Sequence, residues 1–360
     1  HLSIRRQRQM CIRDRAPPFA IPTWIRPLPA PAGMHRLAGG WASFDLVDIV
    51  QHDESGYSVS RATPDDLLAA SGDRNQAVAA LNRLMAARPA WAGLPMDRPV
   101  IMGILNVTPD SFSDGGRHNA PARAVVAGRA MIEAGAGIVD IGGESTRPGA
   151  EAVTRNQELA RVLPPLAGLK DAGAMLSIDT RHAEVMTRAT AAGAGIINDV
   201  NGLRGEGALD AATASGAAVA IMHMQGTPET MQQDPRYGFA PVDIYAFLEQ
   251  RIAAAEAAGI PRDRIAVDPG FGFGKSPAHN ISLIAWSAMF HGLGVPVLVG
   301  ASRKSSIASL SAGEPSDQRL AGSLGLAMAA VAQGCQILRV HDVAETGQAL
   351  AIQMALMADA

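Results

Sequence analysis

Residues 99–116 read P-V-I-M-G-I-L-N-V-T-P-D-S-F-S-D-G-G, and the change of character half-way along decides how the chain is read. Pro99 to Leu105 is an apolar run of the length of a buried strand. Beyond it Asn106, Thr108, Asp110, Ser111, Ser113 and Asp114 crowd a span whose only aromatic is Phe112. A connection this long and polar is no tight turn. Barrels and doubly wound sheets put such loops at the carboxyl ends of buried strands, where their chemistry sits. An ordinary solvated loop has the same composition, so the flanking sequence has to decide.

From residue 98 onward the same unit recurs. Apolar, β-prone runs at 100–105, 137–141, 175–179, 196–199, 218–223, 264–268, 295–300 and 336–340 alternate with Ala-rich stretches. Those stretches, near 121–134, 155–172, 182–192, 206–215, 242–258, 279–290, 316–333 and 343–357, read as helices. The strand runs are continuously apolar, as parallel strands covered by helices should be. The spacing predicts an α/β fold, a (β/α)8 TIM barrel over 98–360. A doubly wound sheet is the alternative, but no dinucleotide fingerprint accompanies the repeat.

Ahead of the barrel, Pro89, Pro95 and Pro99 mark a boundary. Residues 36–97 form a small appended segment with apolar pieces at Phe44 to Val50 and a helix over Asn75 to Ala87. Residues 16–35 are Pro-rich and read as extended or disordered. The first 15 residues carry five Arg against one Asp. An Arg-rich, acid-poor start suits a transit peptide, but the M-C-I-R-D-R run resembles a translated sequencing adapter. Residues 1–35 are therefore set aside as artefact and disordered segment.

Composition narrows the function classes. A formal net charge of -3 and 4% aromatic residues give no basis for binding nucleic acid or an anionic membrane. No apolar run reaches the ~18 residues needed to span a bilayer. The two cysteines, Cys11 and Cys335, lie far apart without metal-site spacing, which argues for a reducing, cytoplasmic compartment.

In a parallel barrel the strand ends build the site. Read in order they are Asn106 with its loop, G-G-E-S-T-R-P-G at 142–149, D-T-R after Ile178, and N-D-V-N from Asn198. Then come M-H-M-Q-G-T-P from Met222, D-P-G-F-G-F-G-K from Asp268, S-R-K-S from Ser302, and R-V-H-D from Arg339. Singly, each has a plain reading. Asp179 or Asp199 would serve as a helix cap, His223 or His341 as a packed imidazole, and Gly270, Gly272 and Gly274 as turn-formers. Polar groups on every strand end at once are not what plain packing predicts.

Asp179, Asn198 and Asp268 offer acceptors and an amide to a flat, N–H-rich heterocycle. Met222 and Phe273 offer it apolar faces, and Lys304 a donor for a carbonyl. Ser302, Arg339 and His341 follow the last two strands, where barrels bind phosphate, and Arg147 adds a cation. Of the chain's three lysines, Lys275 and Lys304 fall in these motifs. Gly270 to Ser276 imitates a P-loop but is one residue short of it.

Together the motifs resemble the dihydropteroate synthases, folate-pathway enzymes of the pterin-binding barrel family. The resemblance covers residues 99–357 and rests on N-V-T-P-D-S-F-S-D-G-G, D-I-G-G-E-S-T-R-P-G-A, S-I-D-T, N-D-V, M-H-M-Q-G-T-P, D-P-G-F-G-F-G-K, S-R-K-S and R-V-H-D-V in that order. It implies condensation of p-aminobenzoate with a 6-hydroxymethyl-7,8-dihydropterin pyrophosphate, with Mg2+. It implies that Asp179, Asn198, Met222, Asp268, Phe273, Gly300, Ser302 and Lys304 hold the pterin. Asn106, Arg339 and His341 would grip pyrophosphate, Asn106 through the metal. Phe112, Thr146, Arg147, Pro148 and Ser305 would form the p-aminobenzoate site. The resemblance further implies a homodimer through the last helices and a sulfonamide target.

Ser306 stands where the family usually carries a bulky apolar residue, which predicts looser packing beneath the seventh loop. Two other readings stay open: a methyltetrahydrofolate-binding barrel serving a corrinoid methyltransferase, and a degenerate paralogue acting as a partner subunit. The first shares Asp179, Asn198 and Asp268 but needs neither the long first loop nor Arg339 and His341.

Overall fold

The computed structural model describes residues 17–30, 32–107, 120–144, 153–227 and 230–358. An antiparallel sheet precedes the barrel. Its spine is β3 (Ser43–Asp53), paired on one side with β1 (Thr23–Pro29) from Thr23↔Gln51 to Pro29↔Phe44. On the other side lie β2 (His35–Arg36) and β4 (Gly56–Ala62). Within the 16–35 stretch read as extended or disordered, Thr23–Pro29 is an extended edge strand, where prolines at 27 and 29 are tolerated. Helix α1 (Pro64–Ala70) starts at a capping box between Thr63 and Asp66, and α2 (Arg74–Met85) at the Asp73 cap. Ile25, Leu37, Phe44, Val47, Ile49, Leu67, Leu81 and Leu84 close a small core that includes the barrel's Ala288. The extension is also stapled to the barrel by hydrogen bonds, among them Trp41 Nε1 to the Val331 carbonyl (2.8 Å) and Arg88 Nη2 to that of His291 (2.7 Å).

The parallel strands are β5 (Val100–Asn106), β6 (Ile138–Gly142), β7 (Met175–Asp179), β8 (Ile196–Asp199), β9 (Ala218–Met222), β10 (Ile265–Asp268), β11 (Leu298–Val299) and β12 (Ile337–Val340). They form one eight-stranded sheet in the order β10-β9-β8-β7-β6-β5-β12-β11. A bridge between Val267 and Val297, with Val267 N donating to Pro296 O at 2.9 Å, joins the two edges and closes the barrel. The seventh strand is shorter than the 295–300 run because Pro296 has no N–H for a ladder.

Alternation along each strand sorts its residues. Met102, Ile138, Ile196, Ala220, Ala266, Leu298 and Ile337 pack with one another and with no helix, which places them inside the barrel. Trp91 and Met96, from the segment ahead of β5, join that set and plug its lower end, Trp91 Nε1 donating to the Arg264 carbonyl at 3.1 Å. Ile101, Val139, Ile141, Ile178, Ile197, Val219 and Ile221 face outward onto helices. Those helices are α3 (Ala120–Glu133), α4 (Arg155–Leu169), α5 (Ala183–Ala191), α6 (Ala208–Ser215), α7 (Ala240–Ala257), α8 (Pro277–Ala285), α9 (Ser305–Leu310), α10 (Leu320–Ala332) and α11 (Val343–Ala358).

Two expected helices differ. The 279–290 stretch ends as α-helix at Ala285 and continues as a 3-10 turn over Ser287–Leu293. The 316–333 stretch opens with a separate turn at Ser316–Gln318. Among the described residues no helix is long and apolar enough to cross a membrane.

Candidate active site

The inward register continues past the hydrophobic filling and emerges polar at the carboxyl ends of the strands. Two residues beyond Ile138 comes Asp140, beyond Ile196 Asn198, beyond Ala266 Asp268, beyond Ala220 Met222, and beyond Ile337 Arg339. Asp179 and Asn106 sit at the same height on β7 and β5. The period of two therefore brings these side chains into one mouth.

At its centre lies Arg339. Its Nε meets Asp140 Oδ2 at 2.6 Å and its Nη2 meets Asp179 Oδ2 at 2.6 Å. Asp140 Oδ2 also accepts from Asn198 Nδ2 at 3.0 Å, while Asp140 Oδ1 is buried without a partner among the described residues. Burial pushes the Asp179 carboxyl up to about 7; Arg339 pulls against that and Asp140 adds to it. Burial also opposes charge on Arg339, but Asp140 and Asp179 outweigh it and raise its pKa, so the guanidinium stays charged. Asp268 Oδ1 accepts from Gly270 N at 2.7 Å; burial still raises its pKa against that bond. Gly300 borders both: a Cβ there would stand in ordinary contact, 3.6 Å from Arg339 Cβ and 3.9 Å from Asp268 Oδ2.

Beside the carboxylates is an apolar patch of Val200, Met222, Met224, Met231 and Phe273. Lys304 Nζ lies 4.0 Å over the Phe273 ring, a cation–π distance. On the far side, Ser302 Oγ and His341 Nδ1 are 3.0 Å apart and Ser302 Oγ accepts from His341 N at 3.2 Å. Burial, with Arg339 and Arg303 nearby, lowers His341 to about 3. It is a neutral donor here, not a second cation. Asn106 is half-buried, and a Cβ on Gly142 would lie 3.7 Å from both Asn106 Oδ1 and Asp179 Oδ2.

Residues 102–341 match the family of pterin binding enzymes. The chain is 50% identical over 262 residues to the dihydropteroate synthase of Escherichia coli (strain K12), covering 72% of this chain and 92% of that protein. Among solved structures, the Xanthomonas albilineans dihydropteroate synthase with 4-aminobenzoic acid is 50% identical, with a TM-score of 0.71 over 74% of this chain and 97% of that one. The same organism's enzyme in complex with 7,8-dihydropteroate is 47% identical, with a TM-score of 0.68 over 74% and 96%. The chain belongs to the dihydropteroate synthases. These are transferases and pterin-binding barrels, and the antiparallel extension lies outside the family match.

Several of the motif residues sit behind the mouth. Lys275, 3% exposed, donates to Phe273 O (2.8 Å) and meets His223 Nδ1 at 2.9 Å. Burial drives its pKa well down; burial and Lys275 take His223 to about 2. The P-loop imitation is thus internal scaffolding. Gly270 is required there, at φ 72°, because a Cβ would stand 1.9 Å from the His223 carbonyl oxygen. Asp199 turns out to cap a turn, accepting from Asn201 N (2.7 Å) and Leu203 N (2.8 Å), and burial raises it to about 6. Ser306 corrects the expectation of looser packing. It is buried, and its Oγ accepts from Asn280 Nδ2 at 2.8 Å.

Ser305 is exposed at the start of α9. Phe112, Thr146, Arg147 and Pro148 lie outside the described residues. Glu144, Glu158 and His182 bring potential metal-ligating atoms within 4.8 Å of one another. Arg181 already takes both Glu144 oxygens at 3.2 Å, and His182 Nδ1 meets Glu158 at 2.8 Å. Sequence reading missed Asp140. Its signal was a lone carboxylate inside the apolar run I-V-D-I-G.

Proposed function

We propose that this chain joins 6-hydroxymethyl-7,8-dihydropterin pyrophosphate to p-aminobenzoate, giving 7,8-dihydropteroate and pyrophosphate. The observation that carries the reading is the convergence of Asp140, Asp179, Asn198 and Asp268 beside the Met222–Phe273 patch. A pterin needs that combination: acceptors along one edge, an apolar wall for its face, and a cation (Lys304) toward its carbonyl. The Xanthomonas albilineans relative's complexes with 4-aminobenzoic acid and 7,8-dihydropteroate support it.

The reaction is a dissociative substitution. The bond from the pterin methylene to the pyrophosphate oxygen breaks first, and the electron-rich ring shares the resulting positive charge. The neutral amine of p-aminobenzoate then forms the carbon–nitrogen bond and loses a proton. This needs charge stabilisation and positioning more than a strong base. Asp268, as a carboxylate, would offset charge on the ring. Arg339, with Nε and Nη2 committed to carboxylates, has Nη1 for a phosphate oxygen; His341 supplies a neutral N–H.

Asn106 Oδ1 and Asp179 Oδ2, flanking the Gly142 cradle, are hard oxygen donors that suit Mg2+. When bound there, Mg2+ would neutralise charge on the departing pyrophosphate. Phe112, Thr146, Arg147, Pro148 and Ser305 are assigned to the p-aminobenzoate site. A cytoplasmic homodimer through α10 and α11 fits the exposed Ile352 and Leu356 on α11. The test is product formation by purified protein. Pterin binding without turnover, Mg2+ supplied, would refute the assignment.

A further inference from the structure

The loops after β10 and β11 carry the ring and the ammonium of the pocket, and one buried amide ties them together. Asn280, on α8, is 1% exposed. Its Oδ1 accepts from Gly272 N at 2.8 Å and its Nδ2 donates to Ser306 Oγ at 2.8 Å. Gly272 immediately precedes Phe273, and Ser306 follows Lys304 by two residues. The Gly272 carbonyl is held in turn by Gln232 Nε2 at 3.0 Å, so the backbone leading into Phe273 is fixed on both sides. A Cβ on Gly272 would stand 3.0 Å from Lys304 Cδ, which shows how closely the lysine stem lies on that backbone.

The geometry points to Asn280, acting with Ser306, as a positioning residue that sets the placement of Phe273 relative to Lys304. This rests on the pterin reading above. Neither residue touches the carboxylate cluster. Asn280 acts through the backbone before Phe273, and Ser306 acts through Asn280. A buried donor deprived of its acceptor re-aims to find another. Loss of either bond therefore lets the loop after β10 drift from the lysine, and the first quantity to suffer is affinity for the flat ring.

The experiment compares Ser306→Ala, Asn280→Ala, Asn280→Asp and the Ser306→Ala/Asn280→Ala double variant in the full chain. Readouts are KM for each substrate, kcat, thermal midpoint, and fluorescence titration with 6-hydroxymethylpterin. Asn280→Ala is expected to weaken pterin binding about tenfold and Ser306→Ala about threefold, with kcat and the p-aminobenzoate KM within about twofold. Asn280→Asp keeps an acceptor for Gly272 N and can accept a hydrogen bond from the Ser306 hydroxyl, so it should recover most of the affinity. The double variant should be no weaker than Asn280→Ala, since Ser306 works only through Asn280. Lower thermal midpoints with unchanged pterin affinity would overturn the inference. Should Asn280→Ala fail to fold, unchanged affinity in Ser306→Ala overturns it alone. Wild-type protein that takes up no pterin defeats the functional reading itself, whereas wild-type turnover with indifferent variants defeats only this inference.

Discussion

Replacing Arg339 by Met keeps most of its volume and removes the cation that, among the described residues, bridges Asp140 and Asp179. Both contacts are 2.6 Å, and the three side chains are 16%, 0% and 10% accessible, so solvent screens them little. Removing one partner of a buried pair costs about 3–5 kcal/mol, because the desolvated charge left behind outweighs the lost attraction. The value at pH 8 should be near the lower end, about 3 kcal/mol, since Asp140 keeps Asn198. The sign of the pH dependence follows. Asp179, raised by burial, loses the guanidinium that pulls its pKa down, so in the variant it holds its proton more strongly still than the unfolded chain does. Stability is then regained as pH falls, by at most about 1.4 kcal/mol per unit per group. Urea unfolding followed by tryptophan fluorescence at pH 8 and pH 6 measures the deficit against wild type at each. A deficit that shrinks by about 1–2 kcal/mol toward pH 6 supports the ion-pair account. A deficit below about 1 kcal/mol at pH 8, or one that grows on acidification, refutes it.

The raised Asp179 carboxyl gives a binding prediction: only its ionised form accepts from both a ring N–H and an amino group. Pterin affinity should fall as pH drops through about 7, approaching tenfold per unit, and flatten in Asp179→Asn; a pH-independent wild type contradicts this. Trp91→Ala opens the lower end of the barrel and should cost about 3–5 kcal/mol in stability with both KM values intact, read by thermal unfolding beside steady-state kinetics. Arg147→Ala should raise the p-aminobenzoate KM while pterin binding, measured by titration, stays within about twofold. Equal loss of both would remove Arg147 from that site.

The barrel was legible because a parallel strand buried on both faces leaves an unmistakable apolar run, and a polar residue at the last or next-to-last place of a run marks the mouth. Asn198, Asp268 and Arg339 were found that way. Asp140 was not, because β6 carries it two residues before its end, where the eye takes the run as plain core. The same alternation that fills the barrel with Ile138 points Asp140 inward. Strand β1 was illegible for another reason. Its pairing partner lies some twenty residues away, from Gln51 back to Phe44, and its prolines argue locally against a strand. Trp91 reads as linker until the barrel above it exists. At Ser306, where the family resemblance leads one to expect a bulky apolar residue, the hydroxyl is engaged by Asn280.

The most direct test of the account is formation of 7,8-dihydropteroate by the purified chain with Mg2+ supplied. Product and pyrophosphate in equal amounts, appearing only when pterin pyrophosphate and p-aminobenzoate are both present, is the result the site predicts. Tight pterin binding with no product under the same conditions would contradict it.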